Sequence, residues 1–229
     1  MAIYAIGDLH LSLGGSKPMD VFPGWEGYMP RLEQQWRALV LPEDTVVLAG
    51  DISWGMNLEQ CRADFAFLEA LPGHKLLMKG NHDYWWCTMA KMRAFLAENG
   101  FGSLSFLHNN FALAEGTALC GTRGWMFDQG QPHDEKMMAR ECGRLRMSLA
   151  LAQREAPEAE RVAFLHYPPV YPGAEAEEIV AVLQEFGVRR CYYGHLHGAA
   201  IRYAMQSEAG GVYYRLISAD AVGFCPVKI

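Results

Sequence analysis

No stretch of this 229-residue chain is rich in lysine or arginine, and its formal charge is −6. Nonspecific attachment to a nucleic-acid backbone needs a basic footprint, so none is expected. No apolar run approaches the roughly 20 residues of a membrane-crossing helix, and no membrane partner is expected. The first apolar run, residues 2–6, has no basic segment before it and is cut at Gly7 by polar side chains. It therefore reads as a strand and not as a signal peptide. Internal repeats, low-complexity tracts and a flexible linker are also missing. With 51% hydrophobic residues, the chain is expected to form one domain over residues 1–229. The six cysteines (Cys61, Cys87, Cys120, Cys142, Cys191, Cys225) include no CxxC pair. That spacing argues against a disulfide framework or a thiolate zinc site, and reduced, buried thiols in a cytoplasmic protein are expected instead.

What the chain does have is polar chemistry concentrated in five short segments. They are Gly7-Asp8-Leu9-His10, Gly50-Asp51, Gly80-Asn81-His82-Asp83, His166, and Gly194-His195-Leu196-His197. Each follows an apolar run such as 2–6, 46–49 or 162–165, which places the polar groups at the tips of neighbouring strands, where open α/β sheets build their sites. Side chains at i and i+2 of an extended chain share a face. Asp8 with His10, and His195 with His197, can each present two donors in one direction.

Five of the eight histidines lie in these segments, together with carboxylates and an amide but no cysteine. Imidazole nitrogen with carboxylate and amide oxygen suits Mn, Fe or Zn, and not Cu(I) or an iron–sulfur cluster. The seven donors Asp8, His10, Asp51, Asn81, His166, His195 and His197 exceed what one ion takes with a water position left open. Two divalent ions are implied. Balanced against Asp8, Asp51 and one hydroxide, such a pair remains net positive and attracts an anionic substrate. A metal pair also lowers the pKa of bound water and clamps a phosphoryl group for in-line attack.

The series G-D-x-H, G-D, G-N-H-D, H and G-H-x-H, spread over residues 7–198, resembles the calcineurin-like metallophosphoesterase superfamily. Each piece alone is weak, but all five in order are specific. The resemblance implies a four-layer αββα sandwich, an α/β fold of two mixed β-sheets flanked by helices, with the site at a sheet rim. It implies that Asp8, His10 and His197 hold one metal and Asn81, His166 and His195 the other, with Asp51 bridging. His82 would be the proton donor or charge stabiliser, and Asp83 would orient its ring and favour the imidazolium. The expected activity is hydrolysis of a phosphomonoester or phosphodiester by a metal-bridging hydroxide, on a small substrate such as a nucleotide. A pyrophosphate-bond hydrolase on the same metals, or a noncatalytic scaffold, are the alternatives.

Apolar periodicity predicts helices over 31–40, 58–71, 88–98, 135–155 and 177–186. Strands are predicted over 3–6, 45–49, 75–79, 105–107, 111–114, 117–121, 162–165 and 190–193, with closing antiparallel strands at 200–205 and 212–218. Substrate contacts are expected from Trp85, from Arg123 between glycines, and from Tyr167 beside His166. Trp54 and Trp86 read as core residues, and Asp83 doubles as a candidate helix cap. The glycine- and proline-rich segment 11–30 lines the pocket or simply packs on the surface. His74, His108 and His133 read as ordinary hydrogen-bonded histidines.

Overall fold

The computed structural model describes residues 1–15, 17–126, 134–171 and 174–229. Strands β1 (Ile3–Ile6), β2 (Thr45–Leu48), β3 (His74–Leu77) and β4 (Leu104–Phe106) run parallel in one sheet. Strands β5 (Phe111–Ala114), β6 (Thr117–Thr122), β7 (Glu160–Leu165), β10 (Arg190–Tyr193), β11 (Glu208–Ala209) and β12 (Val212–Leu216) form the second, in the order β11-β12-β10-β7-β6-β5. A small hairpin joins β8 (Val170–Tyr171) to β9 (Ala174–Glu175), and β13 (Val227–Lys228) closes the first sheet antiparallel to β1. The helices are α1 (Tyr28–Leu39), α2 (Arg62–Ala70), α3 (Met89–Glu98), α4 (Glu135–Glu155) and α5 (Glu177–Glu185). Two mixed sheets flanked by helices make the α/β sandwich that the sequence leads one to expect.

The layering follows from strand alternation. Ile3 and Ala5 of β1 pack with Val162 and Phe164 of β7 and Tyr192 of β10 in the cluster between the sheets. The intervening Tyr4 and Ile6 face Leu32 and Trp36 of α1 and Phe65 of α2. Likewise Ala163, Leu165, Cys191 and Tyr193 face Leu145 and Leu149 of α4 and Val182 of α5. Period-two patterning with both faces apolar is what a strand buried on both sides requires. Each fully buried Leu, Ile or Phe contributes roughly 1.5–3 kcal/mol. All six cysteines are free, four of them buried.

Parallel register then aligns the strand tips. Ile6, Leu48 and Leu77 are neighbours in the first sheet, and Leu165, Tyr193 and Leu216 in the second. A bridge from Gly7 to Ser218 joins the two sheets at this end. Every motif segment leaves a strand on the same rim.

Some local expectations differ. Residues 200–205 are not a strand: a 3-10 turn covers Gly198–Tyr203, and the antiparallel partner of β12 is β11. The Gly198 amide donates to Asp220 and Ala204 N–H to the Ile201 carbonyl, so this backbone closes on itself instead of pairing. Helix α1 begins at Tyr28, because Pro30 lies in its first turn, where no amide donor is needed. Residues 58–61 are a turn before α2, which starts at Arg62. Thr88, not Asp83, caps α3 through a bond from Lys91 N–H.

Candidate metal centre

The rim forces an unusual backbone. Asp8, His10, Asp51 and His195 all have positive φ, at 58°, 47°, 50° and 74°. Such conformations cost non-glycine residues about 1–3 kcal/mol each and concentrate at functional sites. Two of the motif glycines have a steric reason. A Cβ on Gly80 would overlap Asp51 Oδ1, and one on Gly194 would overlap Asp8 Oδ2. The G-N-H-D and G-H-x-H patterns thus bring one backbone against the carboxylate of another loop.

The seven donors converge. His197 Nε2 lies 3.3 Å from Asp8 Oδ1 and 3.2 Å from His10 Nε2. Asn81 Oδ1 lies 2.6 Å from His166 Nε2 and 3.0 Å from His195 Nδ1. Asp51 sits between these clusters, with Oδ2 3.8 Å from His10 Nε2 and 3.6 Å from His166 Nε2. Its other oxygen accepts the His82 amide at 2.7 Å. Asp8 with His10 and His197, and Asp8 with Asp51 and His166, each bring ligand atoms within 4.8 Å of one another. Two adjoining sets of nitrogen and oxygen donors, almost entirely buried, fit divalent cations of intermediate hardness.

Outer partners fix the rings. His166 Nδ1 is 3.1 Å from the Ala49 carbonyl, which turns Nε2 toward Asp51 and Asn81. His197 Nδ1 is 3.0 Å from Asp220 Oδ1, which turns Nε2 toward Asp8 and His10. Carboxylate or carbonyl support of this kind sets the tautomer of a metal-binding imidazole.

Without cations the charges conflict. Burial and the Asp8 charge push Asp51 up to about 8. Burial raises Asp8 less than the facing His197, His166 and His10 lower it, so it stays below the usual carboxylate range. Burial pulls His197 down, but Asp8 and the Asp220 hydrogen bond outweigh it and leave His197 at about 10. His10 and His195 are pushed down to about 3, chiefly by burial. Two buried carboxylates and a protonated imidazole crowd into one space, which positive ions would relieve.

Asp83 corrects the expectation that it orients His82. Its buried carboxylate accepts from the amides of Asp51, Ile52, Ser53 and Gly80 and from the Trp85 indole, clamping the two ligand loops together. The His82 ring is instead set by Trp54, 4.7 Å away between centroids, and by the Tyr84 hydroxyl, 3.3 Å from Nδ1. Burial lowers its pKa, so the imidazolium is not favoured.

The indoles are also reversed. Trp85 is buried against Phe65, whereas Trp54 stacks on His10 at 4.8 Å beside the site. The Arg123 guanidinium lies 3.5 Å from buried Glu141 and over Trp125, so it is held in an ion pair and not extended as a phosphate fork. The Arg123 carbonyl accepts the His166 and Tyr167 amides. Tyr167 packs on His195 with centroids 4.5 Å apart. Segment 11–30 does reach the site, since Met19, Phe22 and Pro23 line a cavity with His10, His82 and His197. His74 bonds the Ser105 hydroxyl, His108 packs on Trp86, and His133 lies outside the described residues. Asp220 was not foreseen, yet it follows β12 as Asp8 follows β1. The strand-tip rule applied to 212–216 would have found it.

The calcineurin-like phosphoesterase family profile matches residues 1–199. A phosphopantetheinyl hydrolase from Mycobacterium tuberculosis has a similar structure, with a TM-score of 0.60 at 13% identity over 100% of this chain and 95% of its own. A protein of unknown function from Aquifex aeolicus gives 0.54 at 16% identity over 99% and 95% of the two chains. A Thermus thermophilus protein gives 0.53 at 13% identity over 96% and 89%. At these identities the likeness is one of fold. No curated protein sequence matches the chain. With its motifs gathered on one rim and most of its length matched, this chain belongs to the calcineurin-like phosphoesterases, metal-dependent hydrolases whose members typically bind two divalent metals.

Proposed function

We propose that the protein hydrolyses a small phosphate ester at a dinuclear centre held by Asp8, His10, Asp51, Asn81, His166, His195 and His197. The observation that carries this reading is the convergence of donors from five strand tips into two adjoining sets that share Asp8, with Asp51 Oδ2 lying between His10 and His166. Asp8, His10 and His197 would hold one ion, Asn81, His166 and His195 the other, and Asp51 both. When bound, such a pair supplies positive charge for the phosphoryl oxygens and an acidified water as nucleophile.

The chain's own residues do the rest. Asp51 splits its oxygens, one fixed by the His82 amide and one left toward the ligands. His82 stands at the cavity wall beside His10 and His197. The His82 ring, with Nδ1 3.3 Å from the Tyr84 hydroxyl, can give a hydrogen bond from Nε2 to the oxygen that leaves phosphorus. Asp83 keeps the loop before Ile52 and the loop after Gly80 in register, and Asp220 holds His197.

Turnover of a panel of mono-, di- and pyrophosphate compounds by the metal-reconstituted protein tests the reading. A phosphopantetheine ester belongs in the panel because of the mycobacterial neighbour's name. Hydrolysis of at least one phosphate ester, lost on chelation, is expected; metal-independent turnover, or none, sinks it. His82→Ala should lower turnover of an unactivated alkyl ester about 10²–10⁴-fold while leaving metal content intact. Unchanged turnover would remove His82 from the chemistry.

A further inference from the structure

A cavity of about 430 Å³ opens directly from His10, His82 and His197. Its remaining walls are almost wholly apolar: Met19, Phe22 and Pro23 of segment 11–30, Trp54 from the loop after Asp51, and Ala199 beyond the last motif. Several polar groups of those walls are engaged within the chain. The Phe22 amide donates to the Met19 carbonyl, and the Phe22 carbonyl accepts from Trp25. Pro23 has no amide hydrogen. The Trp54 indole donates to Met19 Sδ, and the Gly198 amide to Asp220. Phe22, on the cavity wall, is half exposed.

Resting on the phosphoesterase reading, we infer that this cavity receives the leaving group, and that the natural substrate is a phosphate ester of an apolar aryl or alkyl alcohol, with Trp54, Met19 and Phe22 as specificity-determining residues. In the reaction, water oxygen bonds to phosphorus, the P–O bond to the alcohol breaks, and the alcohol oxygen, hydrogen-bonded by His82, takes up the proton that the attacking water gives up. The group attached to that oxygen then lies against the wall that begins at His82. A sugar or polyol there would place hydroxyls against walls with few polar partners, which disfavours such leaving groups. A planar or branched apolar group loses nothing and fills the space between Trp54 and Phe22.

The test uses the metal-reconstituted full chain and two readouts. By calorimetry, hexylphosphonate should bind at least about tenfold tighter than methylphosphonate, since even one methylene in an apolar pocket is worth that order. Phe22→Ser, at a half-exposed position where folding is not at risk, should lower that ratio at least about threefold. In turnover, hexyl phosphate should exceed glycerol 1-phosphate in kcat/KM by about 100-fold. Equal affinity for the two phosphonates, an unchanged ratio in Phe22→Ser, or preference for the glycerol ester would overturn the assignment. Chain-length-dependent phosphonate binding without turnover of any ester would leave the apolar slot standing and sink the phosphoesterase reading instead.

Discussion

Asp220 shows how much of this site rests on residues that touch no substrate. Its two oxygens hold His197 Nδ1 and the Gly198 amide, at 3.0 and 2.8 Å, so one carboxylate fixes both the ring and the turn that follows it. Removing such an outer partner typically costs 10–100-fold in metal affinity. Asp220→Ala should therefore weaken Mn affinity by about that factor, measured by titration against a competing chelator, while Asp220→Asn retains part of it because the amide oxygen can still accept. Unaltered affinity in Asp220→Ala would show that His197 needs no support. The seven expected donors were legible in the sequence because each stands one to four residues beyond an apolar strand. Asp220 has the same signal but no repeated motif around it. The tryptophans were not legible: Trp54 and Trp85 each follow a motif aspartate by two or three residues, and only the path of the loops decides that one faces His10 and the other Phe65.

At the scale of elements, Asp83 ties the loop after β2 to the loop after β3. Four backbone amides and one indole converge on its fully buried carboxylate, a degree of satisfaction that an amide side chain cannot match, because its own NH₂ would face donors. Asp83→Asn should lose about 3 kcal/mol of folding stability in urea titration, since one or two buried amides are left without an acceptor. A loss within 0.5 kcal/mol, the order of a surface change, would contradict the clamp. Most elements were readable from periodicity, α4 to both of its ends. The exception is instructive. Residues 200–205 alternate like a strand, but the chain there is held in a 3-10 turn by Gly198 and Asp220, a contact 22 residues away that local pattern cannot register.

For the whole molecule, the rim stores an electrostatic conflict that binding resolves. From about pH 7 to about 8, an unfolded chain carries no proton on Asp51 or His197, whose ordinary values are 3.8 and 6.5, whereas the folded metal-free site keeps them with values of about 8 and about 10. The folded state binds more protons in this window, so its stability falls as pH rises. His10 and His195, at about 3, are neutral in the folded state and nearly so in the unfolded chain, and they and Lys75, lowered to about 8, offset the fall only in part. The metal-free protein should thus melt at a lower temperature at pH 8 than at pH 7, and added Mn should raise the melting temperature more at pH 8, with protons released to buffer on binding. A metal-free melting temperature that rises over this interval would contradict the assignment of those protons. Among the described residues no helix is long and apolar enough to cross a membrane.

The central claim is that one rim gathers two cations through a shared Asp51. Elemental analysis of the reconstituted, desalted protein tests it most directly, in parallel with Asp51→Asn. Two equivalents of Mn, Fe or Zn per wild-type chain, with occupancy of both positions reduced in the variant, is the predicted result. A single equivalent or none in the wild type, or two fully retained in Asp51→Asn, would contradict it.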